Sequence, residues 1–298
     1  MTILKESTII WEGSYTVKLC AIVPGDSIRK VATIHRLGLW GTGVGFDPNG
    51  TVDQAQAAIA PFQQAGIKVV QMGCYRNLIA VDGTVRAAAI RDVCRAMELA
   101  GAIAVPAVIC GGGHRHPGFP ALAPADVPVH SDTWSDRAID VLVESCQEIV
   151  TTVSPTAATL CLEPWVITSL NSPARLEHVV RRVDHPKLAV ELDPVNMMTP
   201  AYYADTGRFL RECFDRLGEK IHLVHAKDSL LKPQPFSYHM SEAVPGDGQL
   251  DYRTLLQLLQ RLPDNTPLLV EHLTEEAVIA RACAYIRSIA QELHLALE

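Results

Sequence analysis

Four apolar, β-branched segments each carry, at or near their C-terminal end, a side chain able to bind a metal. TLCLEP carries Glu163, AVELDP carries Asp193, HLVHAKD carries His225 and LLVEHL carries Glu271. A strand buried on both faces stays apolar unless something requires a charge there. If these segments are consecutive strands of a parallel barrel, their C-terminal ends converge on one mouth. Three carboxylates and an imidazole suit one hard to borderline divalent ion, manganese first, with magnesium, cobalt, zinc and iron also fitting. Without a cation three close carboxylates repel and raise one another's pKa, so a dication removes a cost. Each residue alone has a plainer explanation. Glu163 can be a salt-bridge partner, Asp193 before Pro194 can open a turn, His225 can be a hydrogen-bonded core histidine, and Glu271 can pair with His272. Their shared position on four successive strands is what argues for a metal centre.

The elements that must position them repeat along the chain. Strand candidates are 16–23, 36–41, 67–73, 102–110, 158–164, 188–194, 221–228 and 267–273, nearly continuous in apolar residues as buried parallel strands are. Amphipathic patterns lie between them at 84–100 and 133–150, after Ser172 with Pro173 at the first helical position, and at 206–217 before Gly218. Asp251 and Thr274 look like N-caps of the last two helices. Eight strands alternating with helices predict an α/β fold of one domain over 1–298, a single (β/α)8 TIM barrel. The first repeat is the weakest, because only Ser27 to His35 separates its strands; residues 1–16, or the whole stretch to 35, are alternatively an N-terminal extension. The longest irregular stretches, 111–131 and 229–250, follow strand candidates and so belong to the catalytic face.

Other residues suit substrate binding. Lys227 shares His225's face in an extended strand, and Asp228 follows it. Asn196 lies three residues after Asp193, either to bond substrate or to cap a turn. The glycine-rich GGGHRH offers His114 and Arg115 after the fourth strand, although a solvated loop explains it too; it is no dinucleotide fingerprint, because G-x-G-x-x-G is absent. Trp40, Trp165 and Phe46 can wall a sugar ring or simply pack in the core. PGDG at 245–248 is a turn signal whose backbone N–H groups are also available to a ligand.

Composition narrows the field. With 48% hydrophobic and 20% charged residues, the 298-residue chain can fill a large core, and its net charge of −7 disfavours nucleic acid as a partner. The eight cysteines form no C-x-x-C pair and sit mostly in apolar runs, which points to a reducing compartment, the cytoplasm, rather than to disulfides or zinc-thiolate. MTILKESTIIWEGSYTVK has no cationic start followed by a sustained apolar stretch, so no signal peptide is expected. No run approaches the roughly 18 apolar residues of a membrane span.

Together LEP with Glu163, ELDPVN with Asp193, HLVHAKD with His225, VPGDGQLDY at 244–252 and LVEHL with Glu271 resemble the xylose-isomerase-like, or sugar phosphate isomerase/epimerase, superfamily of barrels. The resemblance runs from about residue 100 to the end. It implies that Glu163, Asp193, His225 and Glu271 hold the metal, and that Glu163 and Glu271 shuttle protons. It also implies a small sugar or polyol substrate, in an enzyme of the kind that often forms homo-oligomers. The implied reaction is isomerisation or epimerisation by proton abstraction beside a carbonyl, through a metal-stabilised enediolate. Relatives also include inosose and 3-dehydroshikimate dehydratases, so a lyase is the second expectation. A non-catalytic sugar-binding barrel and an endonuclease IV-like nuclease follow. Many relatives carry histidine where Asn196 stands, and the epimerase arginine after the strand-seven histidine is not evident, which leaves the substrate open.

Overall fold

A computed structural model describes residues 16–119 and 129–298. Eight parallel strands close into a barrel: β1 (Lys18–Ala21), β2 (Gly41–Gly45), β3 (Lys68–Gly73), β4 (Ala107–Gly111), β5 (Thr159–Glu163), β6 (Leu188–Leu192), β7 (Ile221–Ala226) and, last in the ring, β10 (Pro267–Val270). β10 pairs with β7 on one side and with β1 on the other, so the ring closes without a free edge. The (β/α)8 TIM barrel predicted from the alternating pattern is the fold. Around it run α1 (Ser27–Arg36), α2 (Val52–Gln64), α3 (Gly83–Ala102), α4 (Asp136–Thr152), α5 (Pro173–Val183), α6 (Pro200–Tyr203), α7 (Thr206–Leu217), α8 (Tyr252–Leu259) and α9 (Glu276–Glu292).

Side-chain alternation divides each strand between two environments. In β4, Val108 and Cys110 join the layer between barrel and helices, whereas Ala107 and Ile109 pack inside the barrel with Cys161, Ala189 and Leu223. Counting on in twos along the inner face, Cys161 leads to Glu163, Ala189 to Glu191 and Asp193, Leu223 to His225 and Lys227, and Leu269 to Glu271. The inner faces therefore change from apolar to charged as the strands reach their C-terminal ends.

Several boundaries depart from expectation. The first βα unit is complete, with Asp26 capping α1 through the Arg29 N–H. The second strand lies beyond the apolar RLGLWG at 36–41, in the glycine-rich GTGVG. Close packing explains glycine there: a Cβ on Gly41 would lie 2.6 Å from the Lys68 carbonyl, and one on Gly43 2.6 Å from Ile22 Cδ1. Helix α2, opened by a capping box between Thr51 and Gln54, had no place among the predicted helices. The last helix begins after Glu275, not Thr274. The stretch 229–250 is not irregular: β8 (Asp228–Gln234) and β9 (Ser237–Ala243) form an antiparallel hairpin standing on the barrel mouth after β7. The N-terminal extension at 1–16 falls almost wholly outside the described residues, as does the middle of 111–131.

Candidate metal centre

Glu163, Asp193, His225 and Glu271 converge. Each offers one donor atom, and these atoms all lie within 4.8 Å of one another, all in buried residues. His225 is the hub: its Nδ1 lies 3.1 Å from Glu271 Oε1 and 4.0 Å from both Glu163 Oε1 and Asp193 Oδ2. Its other ring nitrogen, Nε2, faces Gln71 Oε1 at 3.0 Å. The Gln71 carbonyl oxygen can only accept, so Nε2 carries a proton there and Nδ1 is the nitrogen that faces the cluster. That is how a metal-binding histidine is usually oriented by its second nitrogen.

The surroundings hold each carboxylate in turn. Glu163 Oε2 accepts from the Tyr75 hydroxyl at 2.6 Å, and Oε1 accepts from Trp165 Nε1 at 2.9 Å and Asn196 Nδ2 at 2.8 Å. The Asn196 N–H donates to Asp193 Oδ1 at 3.0 Å, and its side-chain oxygen accepts from Lys227 Nζ at 3.2 Å. Lys227 is buried with its ammonium 2.7 Å from Glu271 Oε1 and 2.8 Å from Asp193 Oδ2. Beyond Glu271 the chain turns through His272 at φ 60°, whose Nδ1–H donates to Glu242 Oε2, 2.9 Å away.

The donor set fits a divalent metal. His225 Nδ1, Asp193 Oδ2 and Glu271 Oε1 are buried atoms with no properly directed hydrogen bond, and the last two share the single Lys227 ammonium. Electrostatics say the same. Burial and the charges of Glu271 and Asp193 raise the Glu163 carboxyl above the usual range against the pull of His225. For Glu271 burial pushes upward but is outweighed by His225 and Lys227, so its carboxyl is held low. Burial would lower His225, but Glu271, Glu163 and Asp193 overcome it and raise it. Among the described residues no other group of histidine, cysteine and carboxylate side chains has metal-holding geometry.

One member escaped the sequence reading. Glu191, fully buried on the inner face of β6, puts Oε1 3.3 Å from His225 Nδ1, and neither carboxylate oxygen has a hydrogen-bond partner. Burial and three neighbouring carboxylates raise it well above the usual range. The signal was present: the two-residue period that places Lys227 with His225 also places Glu191 beneath Asp193.

The substrate-binding candidates separate. Asn196 lines a cavity of about 440 Å³ that opens from Glu163. Lys227 sits on the Asp193 and Glu271 carboxylates themselves. Asp228 points elsewhere: its carboxylate accepts the N–H groups of Ser229, Gly246, Gly248 and Leu250 at 2.8 to 3.1 Å. The PGDG amides thus close a turn around Asp228 instead of facing a ligand, and a Cβ on Gly248 would overlap Asp228 Oδ1 and the Ser229 carbonyl. His114 and Arg115 fasten the loop after β4 to the loop after β3. The His114 N–H donates to Asn77 Oδ1 at 3.1 Å, while Arg115 donates to Asp132 Oδ2 at 2.7 Å and to the Ile79 carbonyl. Trp40 lies at the opposite mouth, where its N–H bonds the Leu19 carbonyl and its carbonyl accepts from Lys68, the first residue of β3. It packs there with Cys20, Val70 and Leu269, so it cannot wall this cavity. Trp165 does line it, stacked on Tyr75 with centroids 5.5 Å apart.

Solved structures share this architecture. A xylose isomerase domain protein from Planctomyces limnophilus is 19% identical, with 94% of this chain and 99% of that one covered at a TM-score of 0.69. A xylose isomerase-like TIM barrel protein from Mycobacterium smegmatis, solved in complex with magnesium, is 15% identical over 93% and 97% of the two chains, TM-score 0.69. The D-psicose 3-epimerase of Clostridium cellulolyticum H10, solved with D-tagatose, is 16% identical over 94% and 100%, TM-score 0.68. At these identities the likeness is one of fold. No curated protein matches the sequence. The model of the xylose isomerase-like TIM barrel family matches residues 33–289, and the chain belongs to that family.

Proposed function

We propose that the chain is a divalent-metal-dependent isomerase or epimerase of a ketose or keto-polyol. The observation that carries this is the buried quartet of Glu163, Asp193, His225 and Glu271, whose donor atoms all lie within 4.8 Å of one another. The four would hold one ion, manganese, magnesium, cobalt, zinc or iron, and a dication there supplies Lewis acidity to a substrate carbonyl. The neighbouring magnesium-bound and epimerase structures support the reading without deciding the metal or the sugar.

The protein's own groups define the proton chemistry. Glu163 and Glu271 arise from β5 and the end of β10, which are not adjacent in the ring. They approach a substrate at the mouth from different sides, as removal of a proton beside a carbonyl and its return require. Tyr75, Trp165 and Asn196 hold Glu163 by three hydrogen bonds, fixing its direction. Lys227 balances Asp193 and Glu271, and Asn196 ties it to Glu163, so the proton-handling carboxylates belong to one network.

The test is solvent deuterium uptake into a panel of ketoses with manganese present. Glu163→Gln and Glu271→Gln should each abolish exchange on any sugar the native chain labels, while the fold survives by circular dichroism. Full activity in either variant would remove that glutamate from proton transfer. Loss of water from the labelled sugar would make the enzyme a lyase working through the same carboxylates.

A further inference from the structure

We propose that the cavity beside the metal centre receives the uncharged, apolar end of a substrate larger than a free sugar: a keto-sugar or polyol joined to an aromatic or aliphatic group. This rests on the sugar-directed reading above and says which sugars the site would take. The cavity, about 440 Å³, is of the size that encloses a drug-sized ligand, larger than one sugar ring. Glu163 forms part of its wall, so it is continuous with the metal centre.

Away from Glu163 the wall turns apolar. Trp165 and Ile167 come from the loop after β5, Val195 and Met198 from the turn after β6, and Tyr238 and Met240 from the hairpin. Trp165 is held rigidly, with its N–H on Glu163 and its ring on Tyr75. Val166 and Tyr238, on the same wall, are 40% and 57% exposed. Apolar side chains from three separate segments meeting at one half-open cavity mark a surface that something covers. A lone polyol would set hydroxyls against this wall and leave its apolar area wet.

Charge narrows the ligand further. Glu163 and Glu242 line the cavity, and neither lysine nor arginine does. A phosphate or carboxylate on the substrate would meet like charge and lack the cationic fork that recognises it. The polar lining groups, Asn196, Thr199, Ser229, Ser241 and His272, suit hydroxyls.

The experiment compares ligands sharing one sugar. Binding of methyl β-glucoside, phenyl β-glucoside, glucose and glucose 6-phosphate to the full chain is measured by calorimetry, with and without manganese. Phenyl glucoside should bind at least about tenfold more tightly than methyl glucoside, equivalent to about 1.4 kcal/mol, and glucose 6-phosphate no more tightly than glucose. Ile167→Ser and Met240→Ser should each shrink the phenyl-to-methyl ratio while manganese affinity stays unchanged. Equal affinity for the two glucosides, no phenyl glucoside binding at its solubility limit, or tighter binding of the phosphate would each overturn the proposal. A chain that binds no metal would end the metal-enzyme reading, yet the glucoside ratio without manganese would still decide this one.

Discussion

Replacing Lys227 with methionine probes the reason for a metal most directly. The substitution keeps an unbranched apolar stem but removes an ammonium 1% exposed, 2.7 Å from Glu271 Oε1 and 2.8 Å from Asp193 Oδ2. Removing one partner of a buried ion pair costs about 3–5 kcal/mol, because the partner charge stays buried and uncompensated. At roughly 2 °C per kcal/mol for a chain of this size, the metal-free variant should melt about 6–10 °C below the native protein. A dication should then restore much of the loss, since the site has one more unit of negative charge to neutralise. The expected signature in calorimetry is a low melting point without manganese and a manganese-induced rise larger than in the native chain. Burial opposes the Lys227 charge, but Asp193 and Glu271 overcome it and hold its pKa above the ordinary value. A raised lysine contributes fully below its unfolded pKa, so the deficit should persist unchanged between about pH 6 and 9. A metal-free variant melting within about 2 °C of the native chain, or a manganese response no larger than native, would refute the compensation argument.

Three further outcomes follow from other parts of the molecule. Asp228→Ala strips the acceptor from four backbone N–H groups and should cost about 2–5 kcal/mol by chemical denaturation; a loss under about 1 kcal/mol would show the turn holds itself. Glu191→Gln should leave the metal-free melting point within about 2 °C of native, because the strongly raised carboxyl resembles the carboxamide; a collapse in stability would mean Glu191 is ionised against His225. The native thiols should react slowly with a disulfide reagent, because burial pushes Cys110 and Cys146 up to about 12 and Cys94 and Cys283 up to about 11. Rapid labelling of all eight without denaturant would contradict the packing.

The barrel and the convergence of Glu163, Asp193, His225 and Glu271 were legible because both follow from local rules. Buried parallel strands are recognisable by continuous apolar runs, and a carboxylate ending such a run stands out. GTGVG escaped for the opposite reason: its glycines answer to close strand contact with Lys68 and Ile22, which no propensity records. The hairpin at 228–243 escaped because its residues, among them Lys232, Pro233, Gln234 and His239, are largely exposed and lack strand-like apolarity. His114, Arg115 and Asp228 looked functional by type and position, but their side-chain partners lie tens of residues away, at Asn77, Asp132 or Ile79, and at the 246–250 turn. Trp40 was misplaced as soon as the second strand was drawn a few residues early, since that shift moves a side chain from one mouth of the barrel to the other.

The hairpin that supplies Tyr238 and Met240 leaves the barrel at its base, where Asp228 pairs with Ala243. From there outward its register continues two residues at a time to Gln234 opposite Ser237. Paired residues can be added or removed at the tip without altering the strand pairing of β7, the Asp228 turn or the clustered carboxylates. On the reading proposed above, ligand choice is tunable at the exposed outer half of this hairpin, apart from the strand pairing that closes the barrel.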